Sequence, residues 1–154
     1  MRYKALYINL HLDTDIYSYT DIDIAISRKR ILSMDKNLTT FLEQRNHTVL
    51  TDIDVITAAV AVPLLEIDGE DHVVFTVRSN KLHRQPGEIS FPGGHCEPDD
   101  KSGAHAAMRE CSEELGIDLN QIELLGNLDC LVSAIGVKLY AVAVRLHTND
   151  LKPN

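Results

Sequence analysis

Between Ser102 and Gly116 the chain carries one stripe of apolar side chains at helical spacing: Ala104, Ala107, Met108, Cys111 and Leu115. Positions i, i+3, i+4, i+7 and i+11 fall on one side of a helix of 3.6 residues per turn. The segment therefore predicts an amphipathic helix that needs a core to rest on. Gly116 stands where a helix-ending glycine belongs, because the left-handed backbone that closes a helix costs glycine nothing.

The surrounding sequence supplies a surface for that stripe. AAVAVPLLEI at 58–67 and DHVVFTVRS at 71–79 are rich in strand-forming residues, and Asp68-Gly69 between them is a strong tight-turn signal. The two predict a hairpin. EISF at 88–91 reads as a short strand stopped by Pro92, and IELLGNLDCLVS and KLYAVAVRLH read as two further strands with a loop around Gly136. Strands, one well-marked helix and more strands predict an α+β fold or an α/β/α sandwich, with a mixed sheet covered by helices. In the first fifty residues, Ile22, Ile26, Ile31, Leu32, Leu38, Phe41 and Leu42 are spaced for one or two short helices. This region is expected to be a partly helical N-terminal extension. Its basic run at 28–30 fits a solvated helix face better than a phosphate patch.

At 154 residues, 44% of them apolar, the chain has the material for a single domain, taken here as 1–154. A formal net charge of -8 disfavours nucleic acid and anionic membrane as partners, because little positive surface is left to neutralise phosphates. No apolar run approaches the length of a bilayer span, and no signal-peptide pattern opens the sequence. Cys96, Cys111 and Cys130 are odd in number and lack CxxC spacing, which suits free thiols in a reducing, cytoplasmic compartment.

The same helix carries Arg109, Glu110, Glu113 and Glu114. The glutamates, at i, i+3 and i+4, share a side that is expected to lie opposite the apolar stripe. Like charges at these spacings repel by a few tenths of a kcal/mol per pair in water, and the C-terminal end of a helix disfavours anions. A hard divalent cation such as Mg²⁺ would relieve that repulsion, since it takes carboxylate, water and phosphate oxygens. An ordinary solvated face screened by Arg109 is the competing account, and spacing alone leaves both open. Upstream, Pro92-Gly93-Gly94 lets the loop approach the helix closely, and Asp99 and Asp100 can accept from Arg109. His83, His95, Cys96, His105 and Cys130 match no zinc module, and Cys111, on the apolar stripe, reads as a buried inert thiol.

The stretch from Gly94 to Ile117 resembles the signature of the Nudix hydrolases, in which a glycine and a spaced acid precede R-E-x-x-E-E-x-G and an aliphatic residue. Here these are Gly94, Asp100, Arg109-Glu110, Glu113-Glu114, Gly116 and Ile117. Asp100 stands where the family has Glu, and eight residues rather than seven separate it from Arg109. VFTVRSNKLHRQPGEISFPGG at 74–94 is similar to the segment that marks the coenzyme A pyrophosphatase branch, through Phe75-Thr76, Arg78-Ser79, Leu82, Gly87-Glu88 and Ser90-Phe91-Pro92-Gly93-Gly94. Read without the resemblance, the Arg78, Lys81, His83 and Arg84 group suits a multiply phosphorylated ligand and a charge-balanced surface loop equally well.

The resemblance implies a Nudix α/β/α sandwich with a mixed β-sheet. It implies metal-dependent hydrolysis of the pyrophosphate of coenzyme A or an acyl derivative, giving 3′,5′-ADP and 4′-phosphopantetheine. It assigns Mg²⁺ or Mn²⁺ to Glu110, Glu113 and Glu114, catalysis to these with Arg109, and the loop–helix junction to Asp100 and Gly116. Arg78, Lys81, His83, Arg84, Gly93 and Gly94 would meet a small-molecule nucleotide substrate. The rival readings are another nucleoside diphosphate compound, such as ADP-ribose or NADH, and a silent nucleotide-binding protein. Homodimers occur in the family. In the coenzyme A branch a Pro/Asn-x-x-Glu-Val segment and a further helix follow a stretch like LKPN, so the C-terminal part of the domain is expected beyond residue 154.

Overall fold

Asp68 and Gly69 form the anticipated turn, both with positive φ (54° and 80°), the left-handed pair that a two-residue hairpin needs. They join strands β2 (Thr57–Ile67) and β3 (Glu70–Arg78), which pair antiparallel from Ile67 opposite Glu70. The computed structural model describes residues 3–9, 34–48, 57–79, 86–133 and 136–153. Its other elements are β1 (Tyr3–Asn9), α1 (Met34–Gln44), β4 (Ile89–Ser90), β5 (Gly93–His95), α2 (Gly103–Leu115), β6 (Ile122–Asn127), β7 (Leu131–Val132) and β8 (Lys138–Leu146), with a 3₁₀ turn at Leu119–Gln121.

The main path of the sheet runs β1-β3-β2-β8-β6, while β4, β5 and β7 pair with β3, β2 and β8 respectively. Strands β2 and β8 are parallel over nine positions, from Thr57 opposite Lys138 to Leu65 opposite Leu146, and the other pairings are antiparallel. The sheet is therefore mixed, as expected. A strand covered on both faces has to be apolar at successive positions, and β2 is: Ala59, Ala61 and Leu65 pack with α2, whereas Leu64 joins Leu42 of α1. Helix α2 lies on one face over Val74, Val142, Val144 and Leu146. Helix α1 lies on the other, over Val73, Leu125 and Ala143. This is the α/β/α layering.

Three expectations are corrected. Strand β1 was not foreseen; its identity comes from seven-position pairing with β3, a tertiary effect that no local pattern announces. The Pro92-Gly93-Gly94 stretch does not only end a strand: Gly93 and Gly94 form β5 against Val60 and Ala59. A Cβ on Gly93 would lie 2.4 Å from the Ala59 carbonyl oxygen, so the close pairing requires glycine. Segment 122–133, read as one strand, is two, because Asp129 turns aside to bond Arg45 and the Thr48 amide. Helix α1 contains the helically spaced Leu38, Phe41 and Leu42, as expected, and residues 10–33, including the basic run, lie outside the described ones. The described residues contain no helix long and apolar enough to cross a membrane, and the three cysteines are free.

Candidate active site

Helix α2 starts and stops where the sequence places it. Ser102, in extended backbone, caps it by accepting the His105 amide on Oγ at 3.1 Å. Gly116 (φ 63°, ψ 43°) closes it with its amide donating to the Ser112 carbonyl. Beneath its first turn lies Tyr140, so close that a Cβ on Gly103 would be 2.4 Å from the ring. These contacts fix the direction in which residues 109–114 project.

Arg109 joins the helix to the preceding loop. Its Nε and Nη2 donate to the two oxygens of Asp100 at 3.2 and 3.1 Å, a two-pronged bond that Asp100 makes despite being a methylene shorter than Glu. Nη2 also donates to the His95 carbonyl at 3.2 Å, and Nη1 to Glu110 Oε1 and Glu113 Oε1 at 3.1 and 3.4 Å. The longer loop between Asp100 and Arg109 thus does not weaken their contact. Asp99 is exposed, and the ordered acid is Asp100.

Bonds from Arg109, then from the Glu97 amide, and then from His105, hold the Asp100 carboxyl well below its ordinary value of 3.8, against the opposing effect of burial. A carboxyl lowered in the folded state stabilises the fold above its unfolded pKa, and that contribution disappears as pH falls through the folded value. Asp100→Asn should therefore weaken the protein most at neutral pH, and its deficit against the parent should narrow below about pH 4. Urea midpoints at pH 7, 5 and 3.5 measure this; a deficit independent of pH would contradict it.

The carboxylates occupy three different environments. Glu110 is tucked against β5: a Cβ on Gly94 would be 2.4 Å from its Oε1. Glu113 is open to solvent, with a side chain 60% exposed. Glu114 is only 8% exposed. It follows Ala107 by seven residues and Cys111 by three, which puts it on the apolar stripe itself. The expected opposite-face arrangement is thus wrong for Glu114. Burial, and secondly the Glu114 charge, push the Cys111 thiol up to about 12, consistent with an inert thiol.

Among the described residues no three His, Cys, Asp or Glu side chains converge as a metal site. Two carboxylates of the helix, Glu110 and Glu113, instead share Arg109. As a donor set they are hard oxygens on adjacent turns, beside a glycine that admits close approach, which suits Mg²⁺ or Mn²⁺ rather than zinc. Strand alternation places Arg78 on the sheet face of Val74, which α2 covers, and main-chain bonds run from the Arg78 amide to the Glu88 carbonyl and from the Gly87 amide to the Arg78 carbonyl. Lys81, His83 and Arg84 lie outside the described residues. Sequence reasoning missed His105, whose Nδ1 donates to Asp100 Oδ1 at 2.9 Å. Its position three residues after the cap was the available signal.

The NUDIX domain profile matches residues 56–147, more than half of the chain. The chain is 46% identical over 70 residues to the mouse (Mus musculus) peroxisomal coenzyme A diphosphatase NUDT7, covering 46% of this chain and 30% of that protein. It is 40% identical over 101 residues to the mouse mitochondrial coenzyme A diphosphatase NUDT8, covering 63% and 48% respectively. The matched part thus spans less than half the length of these relatives. Among solved structures, a C. elegans Ap4A hydrolase in a binary complex superposes with a TM-score of 0.51 at 20% identity, covering 65% of this chain and 73% of that one, a likeness of fold.

Proposed function

The chain belongs to the NUDIX domain family, and from that premise we propose that it hydrolyses the pyrophosphate of coenzyme A or an acyl-coenzyme A. The observation that carries the reading is the junction at β5, where Arg109 ties the Asp100 loop to α2 while Glu110 rests against Gly94. It holds carboxylates and a close-approaching glycine backbone at one place.

Glu110, Glu113 and Glu114 would hold Mg²⁺ or Mn²⁺. Such a cation, when bound, neutralises diphosphate oxygens and lowers the pKa of a water nucleophile. Arg109, already bonded to Glu110 and Glu113, offsets the repulsion between their charges and sets where they point. Gly93 and Gly94 leave room for a phosphate to approach the main chain. Arg78, with Lys81, His83 and Arg84 a few residues further along the sequence, would take the phosphates, including the 3′-phosphate that sets coenzyme A apart. In the reaction one P–O bond of the bridge breaks and the oxygen of water adds to the phosphorus that loses it. Both 3′,5′-ADP and 4′-phosphopantetheine then leave with a terminal phosphate.

The coenzyme A specificity is supported by the 74–94 segment and by the likeness to the two mouse coenzyme A diphosphatases. Comparing kcat/KM for coenzyme A, ADP-ribose and NADH tests it. The reading expects coenzyme A to lead by at least about tenfold, a preference worth about 1.4 kcal/mol. Equal rates would keep the hydrolysis and discard the substrate. One observation favours a second reading, binding without turnover: Arg109 engages two of the helical carboxylates and no three-ligand cluster forms among the described residues. Retained nucleotide binding with no product from any of the three compounds would select it. The free thiols support a reducing compartment, which we take as the cytoplasm; imaging of the tagged protein tests that.

A further inference from the structure

We propose that His105 is a positioning residue, which acts through Asp100 to fix how Arg109 divides itself between the loop and the helical carboxylates; this rests on the hydrolase reading above. The Asp100 side chain is 3% exposed. Its Oδ1 accepts His105 Nδ1 at 2.9 Å and Arg109 Nε at 3.2 Å, and its Oδ2 accepts the Glu97 amide at 2.8 Å and Arg109 Nη2 at 3.1 Å. An ionised carboxylate offers about four lone-pair sites, and four donors meet this one. The His105 side chain is 38% exposed, so removing it opens Oδ1 to water and leaves Arg109 Nε as its one remaining protein donor, and the carboxylate is then free to turn.

His105 is well placed to prevent that turn. It is the third residue of a capped helix, with its own amide held by Ser102 Oγ. In a capping box the residue there is Glu or Gln, reaching back to the cap. Here a histidine reaches two residues further back, to Asp100, and ties the loop to the first turn of α2. Because Nδ1 and Arg109 Nε share Oδ1, the ring fixes the oxygen that orients the guanidinium. Arg109 then presents Nη1 alone to Glu110 and Glu113. Without the ring, Asp100 and the Arg109 fork rotate together, and the two glutamates lose their common donor.

The test compares His105→Ala and His105→Asn in the full chain by two readouts: kcat and KM for coenzyme A, and solvent exchange of the Arg109 Nε–H resonance. Ala is expected to lower kcat about tenfold, the low end for outer partners of a reactive centre, with KM within about twofold. It should also speed Nε–H exchange. Asn, which keeps an N–H donor near the Nδ1 position, should recover most of both losses. Unchanged kcat and exchange in Ala would overturn the proposal. So would Asn behaving like Ala, since the volume of the ring would then matter rather than its N–H. If the parent protein turns over no nucleotide, the hydrolase reading fails on its own, and the exchange rates of the two variants still decide the role of His105.

Discussion

Glu114→Gln is expected to lower kcat roughly 100- to 1000-fold, about 3–4 kcal/mol of transition-state stabilisation, and to leave the melting temperature unchanged or higher. The argument starts from an anomaly of packing. Glu114 is 8% exposed and lies on the stripe of α2 that carries Ala107, Cys111 and Leu115. Burying a carboxylate is costly, and a helix selected only for its contact with the sheet would place an apolar residue there. Glutamine keeps the shape and removes the charge. If the charge serves only the fold, stability must fall with activity. If it serves a cation and the substrate phosphates, activity falls alone. Steady-state kinetics and calorimetry on the same preparation separate the two, and unchanged turnover would remove Glu114 from the site.

Gly116→Ala is expected to destabilise the protein by about 3 kcal/mol, lowering its melting temperature by roughly 6–12 °C. A non-glycine residue in the left-handed region costs about 1–2 kcal/mol. The remainder comes from the Lys152 carbonyl oxygen, which a Cβ on Gly116 would meet at 2.0 Å. That atom is backbone, and its chain is held by the Lys152 amide bond to the Leu115 carbonyl, so the segment after β8 has to move. Gly69 is the control: its φ is 80°, but nothing lies within 4 Å of its missing Cβ, so Gly69→Ala meets strain alone, about 1–2 kcal/mol. Urea denaturation measures both. Equal losses at the two positions would show that the packing against Lys152 contributes nothing.

What the sequence revealed and what it concealed divide along a physical line. Helix α2 was legible to within a residue at each end, because its stripe and its Gly116 stop are local signals that agree. The β2–β3 hairpin was legible for the same reason, its turn being written in Asp68-Gly69. Strands β1 and β5 were not. One is an edge strand and the other is made of two glycines and a histidine, so each is a strand only by virtue of the strand it pairs with. In the site, spacing gave Glu110, Glu113 and Glu114 a common side, but it could not tell that Glu114 turns into the packed layer while Glu113 faces water, because the helix is covered over a wider arc than its apolar residues mark. The Arg109–Asp100 bond was readable from charge and order along the chain. The third partner, His105, was not, because its place three residues after the cap gains meaning only once the loop folds back over the first turn.

The measurement that bears most directly on the central claim is the identity of the products formed from coenzyme A with Mg²⁺, and then with Mn²⁺, resolved by chromatography. The account predicts 3′,5′-ADP and 4′-phosphopantetheine in equal amounts, formed only when a divalent cation is present. Intact coenzyme A under both cations, or cleavage at any bond other than the pyrophosphate, would contradict it.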